Sequence, residues 1–247
     1  MTAKSKKIFK SVLLVMLVTI LFPTVPLIAQ EKKTSEWFFP EWAAMAKYNQ
    51  PIKVRDTDSA LGRYSLKTKE VGLKDITRFH GHLCDGMVIA YVEIKDVLSK
   101  LFPDGIVDRT DLRAVSKNGP CWVDTVAYMT GARINFQTLR IDNSVGDGFI
   151  IQRISTGKTY SVHLKHGVFP KDQAENEAKI RKLRADGKPV TAEDINKVEK
   201  MADDLSTKLL NTHPDEVLEI KQLENYRFVP TDLFGNRGDI INKDMPR

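Results

Sequence analysis

Two histidines and a cysteine fall at alternate positions in one short stretch of the chain, Phe79-His80-Gly81-His82-Leu83-Cys84-Asp85-Gly86. The stretch holds two of the five histidines and one of the two cysteines in the 247-residue sequence. Neutral imidazole and thiolate are the usual protein ligands of zinc and related divalent ions. We therefore interpret His80, His82 and Cys84 as candidate ligands of a zinc-like divalent metal ion.

Two backbone conformations would place these side chains differently. In an extended stretch, His80, His82 and Cys84 would share one side. If a helix begins earlier, His80 and Cys84 would lie one turn apart and His82 would turn away. Both conformations keep Cys84 near at least one histidine, and His80 is then either a fourth ligand or a residue that orients a ligand.

The residues after this stretch predict an amphipathic helix of about five turns, which begins near Cys84. Apolar residues recur at steps of three and four, and charged residues lie between them. The apolar positions are Met87, Tyr91, Ile94, Leu98 and Leu101, and the charged ones are Glu93, Lys95, Asp96 and Lys100. A cysteine that opens a helix faces unpaired backbone N–H groups, which favour its thiolate. Cys84 is thus a candidate nucleophile as well as a candidate ligand.

The second cysteine also opens a predicted helix. A predicted strand at residues 112–116 and a tight loop precede Cys121, and the helix after it ends at Thr130-Gly131. Asp124 lies one turn beyond Cys121 and points roughly the same way. We expect both cysteines to converge on one site, with Cys121 as a further metal ligand and Asp124 or Asp85 as the general base of an enzyme.

The remaining pattern predicts an α+β fold with a mixed or antiparallel sheet packed by helices. The expected divisions are a signal peptide (1–29), an aromatic N-terminal arm (30–72), a core domain (73–170) and a charged helical C-terminal extension (171–247). The aromatic residues of the arm are more typical of packing on the core than of a ligand platform.

Within the core, residues 149–155 and 158–164 predict a β-hairpin. His163 in its second strand, and His166 after it, could reach a metal. An exposed or hydrogen-bonded histidine is the favoured interpretation of both.

The N-terminal residues predict export. Four lysines, an unbroken apolar run and a small residue at Ala29 are typical of a secretory signal peptide, and a retained membrane anchor is the alternative. The lysines, Lys4, Lys6, Lys7 and Lys10, supply four of the six net positive charges, so the basicity indicates targeting and no nucleic-acid partner. We expect a periplasmic or secreted protein without a stable membrane anchor after cleavage.

In the extension, Thr191 and Asp194 resemble a capping box before an apolar stripe from Ile195 to Leu209. A charged helix pair of this kind is more typical of a solvated cover or an oligomer contact than of a functional site. We expect a homodimer with the stripe at or near its interface.

From Leu73 to Leu164 the chain resembles the family of proteins that are similar to the E subunit of formylmethanofuran dehydrogenase. The resemblance rests on the His/Cys stretch and on three later features in the same order, namely Cys121-x-x-Asp124, Thr130-Gly131 and the turn Ser155-Thr156-Gly157-Lys158. Two positions differ from the usual pattern: Asp85 stands where proline is common, and the bulky Trp122 where a small residue is common.

The resemblance implies an α+β core, often dimeric, with a cleft at the two motifs suited to a metal. Many members carry a C-terminal four-cysteine zinc finger, which the two cysteines of this sequence cannot form. Formylmethanofuran chemistry belongs to a cytoplasmic molybdenum or tungsten enzyme, so an exported chain is not expected to share it.

Three functions remain open from the sequence. The first is an exported protein that binds a zinc-like divalent ion for storage, delivery or sensing. The second is a periplasmic enzyme on a small molecule, in which the ion activates water or the Cys84 thiolate attacks a substrate. The third is a structural disulfide between Cys84 and Cys121 with histidines that merely pack.

The export prediction has a direct test. The mature N-terminus should lie near Gln30, because the apolar run ends shortly before Ala29. Mass spectrometry of the exported protein measures it. A soluble cytoplasmic protein that retains Met1 would contradict the prediction.

Overall fold

The computed structural model describes residues 36–231. The predicted signal peptide (1–29) lies outside the described residues. Among residues 36–231, no helix is both long and apolar enough to cross a membrane.

The described chain folds into seven helices and eight strands, with two short 3₁₀ helices. The helices are α1 (Glu41–Ala44), α2 (Leu73–His80), α3 (Asp85–Leu101), α4 (Pro120–Thr130), α5 (Lys171–Ala185), α6 (Ala192–Asn211) and α7 (Pro214–Val217). The strands are β1 (Ile52–Arg55), β2 (Lys69–Val71), β3 (Ile106–Asp108), β4 (Leu112–Ser116), β5 (Leu139–Ile141), β6 (Gly148–Arg153), β7 (Thr159–Leu164) and β8 (Leu218–Gln222).

The strands form two mixed sheets, which confirms the predicted α+β class. The larger sheet has the order β5-β4-β6-β7-β8, in which only β4 and β5 run parallel. The smaller sheet has the order β2-β1-β3, with β1 antiparallel to β2 and parallel to β3. Strands β1 and β2 lie within the predicted N-terminal arm, where the sequence analysis anticipated no strand.

The predicted hairpin is present as β6 and β7, and a buried carboxylate holds its turn. Asp111 accepts hydrogen bonds from the Ser155 N–H at 2.8 Å and from Arg153 Nε at 3.0 Å. The Ser155 hydroxyl also donates to Asp111, at 2.5 Å. The turn is therefore tied to the start of β4.

Helix α3 is the centre of the core, and here the sequence prediction was wrong in one respect. The helix packs against α4, α6, β6 and β7, so almost no side faces solvent. Glu93, expected on a polar face, is fully buried. Its burial raises the pKa of the carboxyl well above the usual range. The spacing of apolar residues predicted one covered face, whereas neighbours from three directions cover the helix.

The apolar stripe of α6 is divided between two environments. Leu205 and Leu209 are buried in the core of the same chain, where α6 packs on α3. The N-terminal half of α6 carries the half-buried residues Ile195, Val198 and Met201. A dimer contact through this stripe would thus be restricted to its N-terminal half.

A close approach at Gly86 brings the first turns of α3 and α4 together. A Cβ atom at Gly86 would lie 2.9 Å from Trp122 Cζ3 and 3.3 Å from Cys121 Sγ. Real Cβ contacts of 2.9 Å essentially do not occur, so a side chain at this position would displace the Trp122 ring or separate the two helices.

We expect Gly86→Ala to lower the free energy of unfolding by about 1–3 kcal/mol, because the added methyl group overpacks the contact between α3 and α4. Gly119→Ala is the matched control, since its Cβ would meet nothing nearer than 3.7 Å. Chemical denaturation measures both variants. Equal stability of the two would contradict the described contact.

Candidate functional site

The His/Cys stretch is the connection between α2 and α3. His80 is the last residue of α2, and Gly81 follows with φ of 103°, a left-handed conformation that glycine adopts without strain. His82 lies in the short loop, and Cys84 is the extended residue immediately before α3. Neither conformation considered from the sequence describes the whole stretch. The end of α2 and the start of α3 both lie within the six residues 80–85.

This reversal brings the three candidate ligands together. One ligand atom from each of His80, His82 and Cys84 lies within 4.8 Å of the others, so these residues form a group that could hold a metal ion. The two imidazole rings lie 4.7 Å apart, centroid to centroid. The His80 side chain is 5% exposed, whereas His82 is exposed. The group is thus buried at one side and open at the other.

Helix α4 places the second cysteine against this group. Cys121 is the second residue of the helix, directly after Pro120. Its sulfur lies 3.3 Å from Cys84 Sγ and 3.7 Å from His80 Nε2. The two cysteines are free thiols in the structure, and their sulfurs are hydrogen-bonded. The convergence expected from the sequence is present in the described geometry.

Asp124 orients His80. One carboxylate oxygen of Asp124 lies 2.7 Å from His80 Nδ1. An ionised carboxylate only accepts hydrogen bonds, so Nδ1 donates to Asp124 and the ring presents Nε2 to Cys121 Sγ. A carboxylate in this position is the usual second partner of a metal-binding histidine. Asp124, proposed from the sequence as a general base, is therefore engaged by His80.

Asp85, the other proposed base, is held by helix α5. Its carboxylate accepts from Gln173 Nε2 at 2.6 Å and from the Gly86 N–H at 2.8 Å. Burial raises the pKa of Asp85. Gln173 lies on α5, is fully buried, and also donates to Glu177 at 3.0 Å. Sequence reasoning missed Gln173, because nothing in a charged helix marks one glutamine as buried.

The two thiols differ in acidity. The hydrogen bond from Cys84, helped by nearby His80, lowers the pKa of Cys121 to about 6 against the effect of its burial. The same hydrogen bond raises the pKa of Cys84, as does its burial. The shared hydrogen bond therefore favours the proton at Cys84 and the thiolate at Cys121.

Trp122 covers the site on the α3 side. Its ring contacts the position of Gly86, and Lys117 Nζ lies 3.5 Å from its centroid. The open side is at His82, which lines a cavity of about 230 Å³ together with Trp37 and Asp203. Trp37 is 94% exposed, whereas Phe39 of the same arm is buried. Access to the site is thus from the His82 side.

His163 and His166 take no part in this group. His163 lies on β7, with Nδ1 2.8 Å from the Leu164 carbonyl oxygen and Nε2 3.7 Å from Glu219. His166 is exposed in the turn after β7. The favoured interpretation of both, as exposed or hydrogen-bonded histidines, matches their described surroundings.

Fold and site together define an α+β protein with a His/Cys group able to hold a metal ion. The sequence profile of a family described as "FmdE, Molybdenum formylmethanofuran dehydrogenase operon" matches residues 79–219, and the chain belongs to this family. The match begins at Phe79, directly before the first candidate ligand, and extends through the large sheet into β8.

A crystal structure of a tungsten formylmethanofuran dehydrogenase FmdE-like protein from Syntrophus aciditrophicus is similar to part of the chain. The two share 16% identity over 68% of this chain and 77% of that chain, with a TM-score of 0.37. No curated protein matches the sequence.

The asymmetry of the two thiols gives a prediction for the metal-free, reduced protein. Iodoacetamide should modify Cys121 before Cys84, because the thiolate is the nucleophile. Since the pKa of Cys121 is lowered to about 6, its rate should rise as the pH increases through that value and be nearly constant above pH 7. Peptide mass spectrometry measures the rate at each cysteine. Faster modification of Cys84, or a midpoint near 8.5 for Cys121, would contradict the assignment.

Proposed function

We propose that the protein binds one zinc-like divalent ion through His80, His82, Cys84 and Cys121. The observation that carries this proposal is the His80 ring, which Asp124 orients through one nitrogen and which faces the Cys121 sulfur with the other. A buried histidine that only packs has no need of this arrangement. Two thiolates and two imidazoles are a common ligand set of zinc.

Two of the distances among the proposed ligands are close to those around such an ion. With Zn–S near 2.3 Å and Zn–N near 2.0–2.1 Å, a tetrahedral site separates two sulfurs by about 3.8 Å and a sulfur from a nitrogen by about 3.6 Å. The structure has 3.3 Å between the sulfurs and 3.7 Å between Cys121 Sγ and His80 Nε2. The two sulfurs would have to move apart by about 0.5 Å to reach the tetrahedral distance. Loss of their shared proton would favour this movement.

The proposal also includes a biological setting. The protein is exported, and it stores, delivers or senses the ion. The lysine-rich start and the apolar run before Ala29 support export. A homodimer is part of the same proposal, supported by exposed apolar side chains such as Trp37 and Phe79 beside the site. Neither the formylmethanofuran reaction nor its metal is proposed for this chain.

A periplasmic enzyme is the second candidate, and one observation favours it. The cavity beside His82 gives a small molecule of up to about 230 Å³ a place next to the proposed ion. Asp203 lines this cavity and carries a pKa raised chiefly by partial burial. Since Asp124 and Asp85 are both engaged by other side chains, Asp203 is the remaining candidate for a base.

Metal content of variants tests the proposed site. Cys84→Ser, Cys121→Ser and His82→Ala should each lose most of the metal, because a hydroxyl or methyl group replaces a soft or borderline ligand. Asp124→Asn should weaken binding about 10–100-fold, since it removes the group that orients His80. Binding should also weaken as the pH falls, because protons compete for the thiolates and imidazoles.

His163→Ala is the matched control, an exposed histidine on β7 outside the group. Elemental analysis of protein purified without a histidine tag, with a thiol count and circular dichroism, measures the outcome. If the first three variants keep full metal while His163→Ala loses it, the site is wrong.

A further inference from the structure

Two neighbouring cavities lie at the other end of α4 from the His/Cys group. Their volumes are about 440 and 590 Å³, and both are lined by Asp56, Arg109 and Arg133. Cys121 and Gly131 mark the two ends of the helix, separated by ten residues or about 15 Å of helical rise. None of the four candidate metal ligands lines either cavity, although the larger cavity extends to Phe79, the residue before His80.

Arg109 is a buried cation with an N–H donor that has no acceptor among the described residues. Its side chain is 10% exposed, and Nη1 donates to Asp56 at 2.8 Å. Its Nε is buried and has no acceptor among residues 36–231. Asp56 also pairs with Lys69 at 3.3 Å, so its negative charge is shared between two cations. A buried donor without an acceptor costs free energy that an incoming anion would recover.

Arg133 adds a second positive charge to the same walls. It is exposed, its guanidinium lies 5.0 Å from the Phe136 ring centroid, and no carboxylate within the described part of the chain forms an ion pair with it. Burial and the charge of Arg133 both lower the pKa of Arg109. The charge of Arg133 thus destabilises that of Arg109 in the absence of an anion between them.

Gly131 permits this arrangement of the two arginines. It ends α4 with φ of 74°, and a Cβ there would lie 2.9 Å from the Arg109 carbonyl oxygen and 3.4 Å from Arg109 Nε. The chain can therefore leave α4 directly over Arg109 and present Arg133 two residues later. The Thr130-Gly131 pair, singled out from the sequence as a helix end, also builds this pocket.

We propose that the pocket at Arg109 and Arg133 binds the phosphate or carboxylate group of a small organic anion. Arginine presents a fork of N–H donors that matches both groups. The smaller cavity has a partly apolar lining of Leu112, Phe136 and Ile154, beside Asp56 and three threonines. A ligand with an anionic group and an apolar body fits this lining better than a free inorganic ion does.

Isothermal titration calorimetry of the full protein as purified tests the proposal with three probes: inorganic phosphate, phenyl phosphate and benzoate. Chloride at equal ionic strength is the reference. We expect saturable binding of phenyl phosphate or benzoate, tighter than inorganic phosphate, and the tighter of the two identifies the anionic group. Arg133→Gln should weaken it about tenfold, as expected for one charged hydrogen-bonding partner.

Arg184→Gln is the matched control. Arg184 is exposed on α5, and its substitution makes the same change in net charge away from the pocket. It should bind the probes as the unaltered protein does, and metal content should be unchanged in both variants. Arg133→Gln is preferred to a change at Arg109, whose pair with Asp56 contributes to the fold. No saturable binding of any probe, or equal binding by the two variants, would overturn the proposal.

Discussion

The contact between the first turns of α3 and α4 is the constraint on which the site depends. Gly86 leaves no room for a side chain between these helices, and this allows Cys84 and Cys121, at the starts of the two helices, to place their sulfurs 3.3 Å apart. His80 then completes the contact from the end of α2, held by Asp124 of α4. Three helix ends thus meet at one point, and each contributes a candidate ligand or the group that orients one.

The buried position of α3 in the core holds the α3 side of this contact in place. The helix lies between α4, α6 and the large sheet, so its start cannot move without disturbing the core. Gln173 of α5 extends the support by holding the Asp85 carboxylate. A preformed site of this kind binds a metal more tightly than a mobile one, because less conformational entropy is lost on binding.

Local patterns predicted the parts of the structure that local interactions determine. The strand at residues 112–116, the helix that ends at Gly131, the hairpin and the Thr191 cap all have short-range causes, and the structure contains each of them. The pairing of Cys84 with Cys121 was inferred because both open helices. The buried Glu93, the small sheet of β1 to β3 and the role of Gln173 depend on contacts between distant parts of the chain, which no local periodicity encodes.

Roles within the site divide in the same way. Residue types identified the candidate ligands, since few other functions require two histidines and two cysteines in such spacing. The role of Asp124 depends on which atom it faces, and only the folded geometry shows that this atom is His80 Nδ1. Arg109 and Arg133 carry no recognisable spacing in the sequence, and their proximity arises from the turn at Gly131.

X-ray absorption spectroscopy at the zinc edge of the zinc-loaded protein tests the central claim most directly, because it reports which atoms surround the ion. The account predicts two sulfur neighbours near 2.3 Å and two nitrogen neighbours near 2.0–2.1 Å, with imidazole scattering beyond them. A shell of oxygen and nitrogen atoms without sulfur would contradict it.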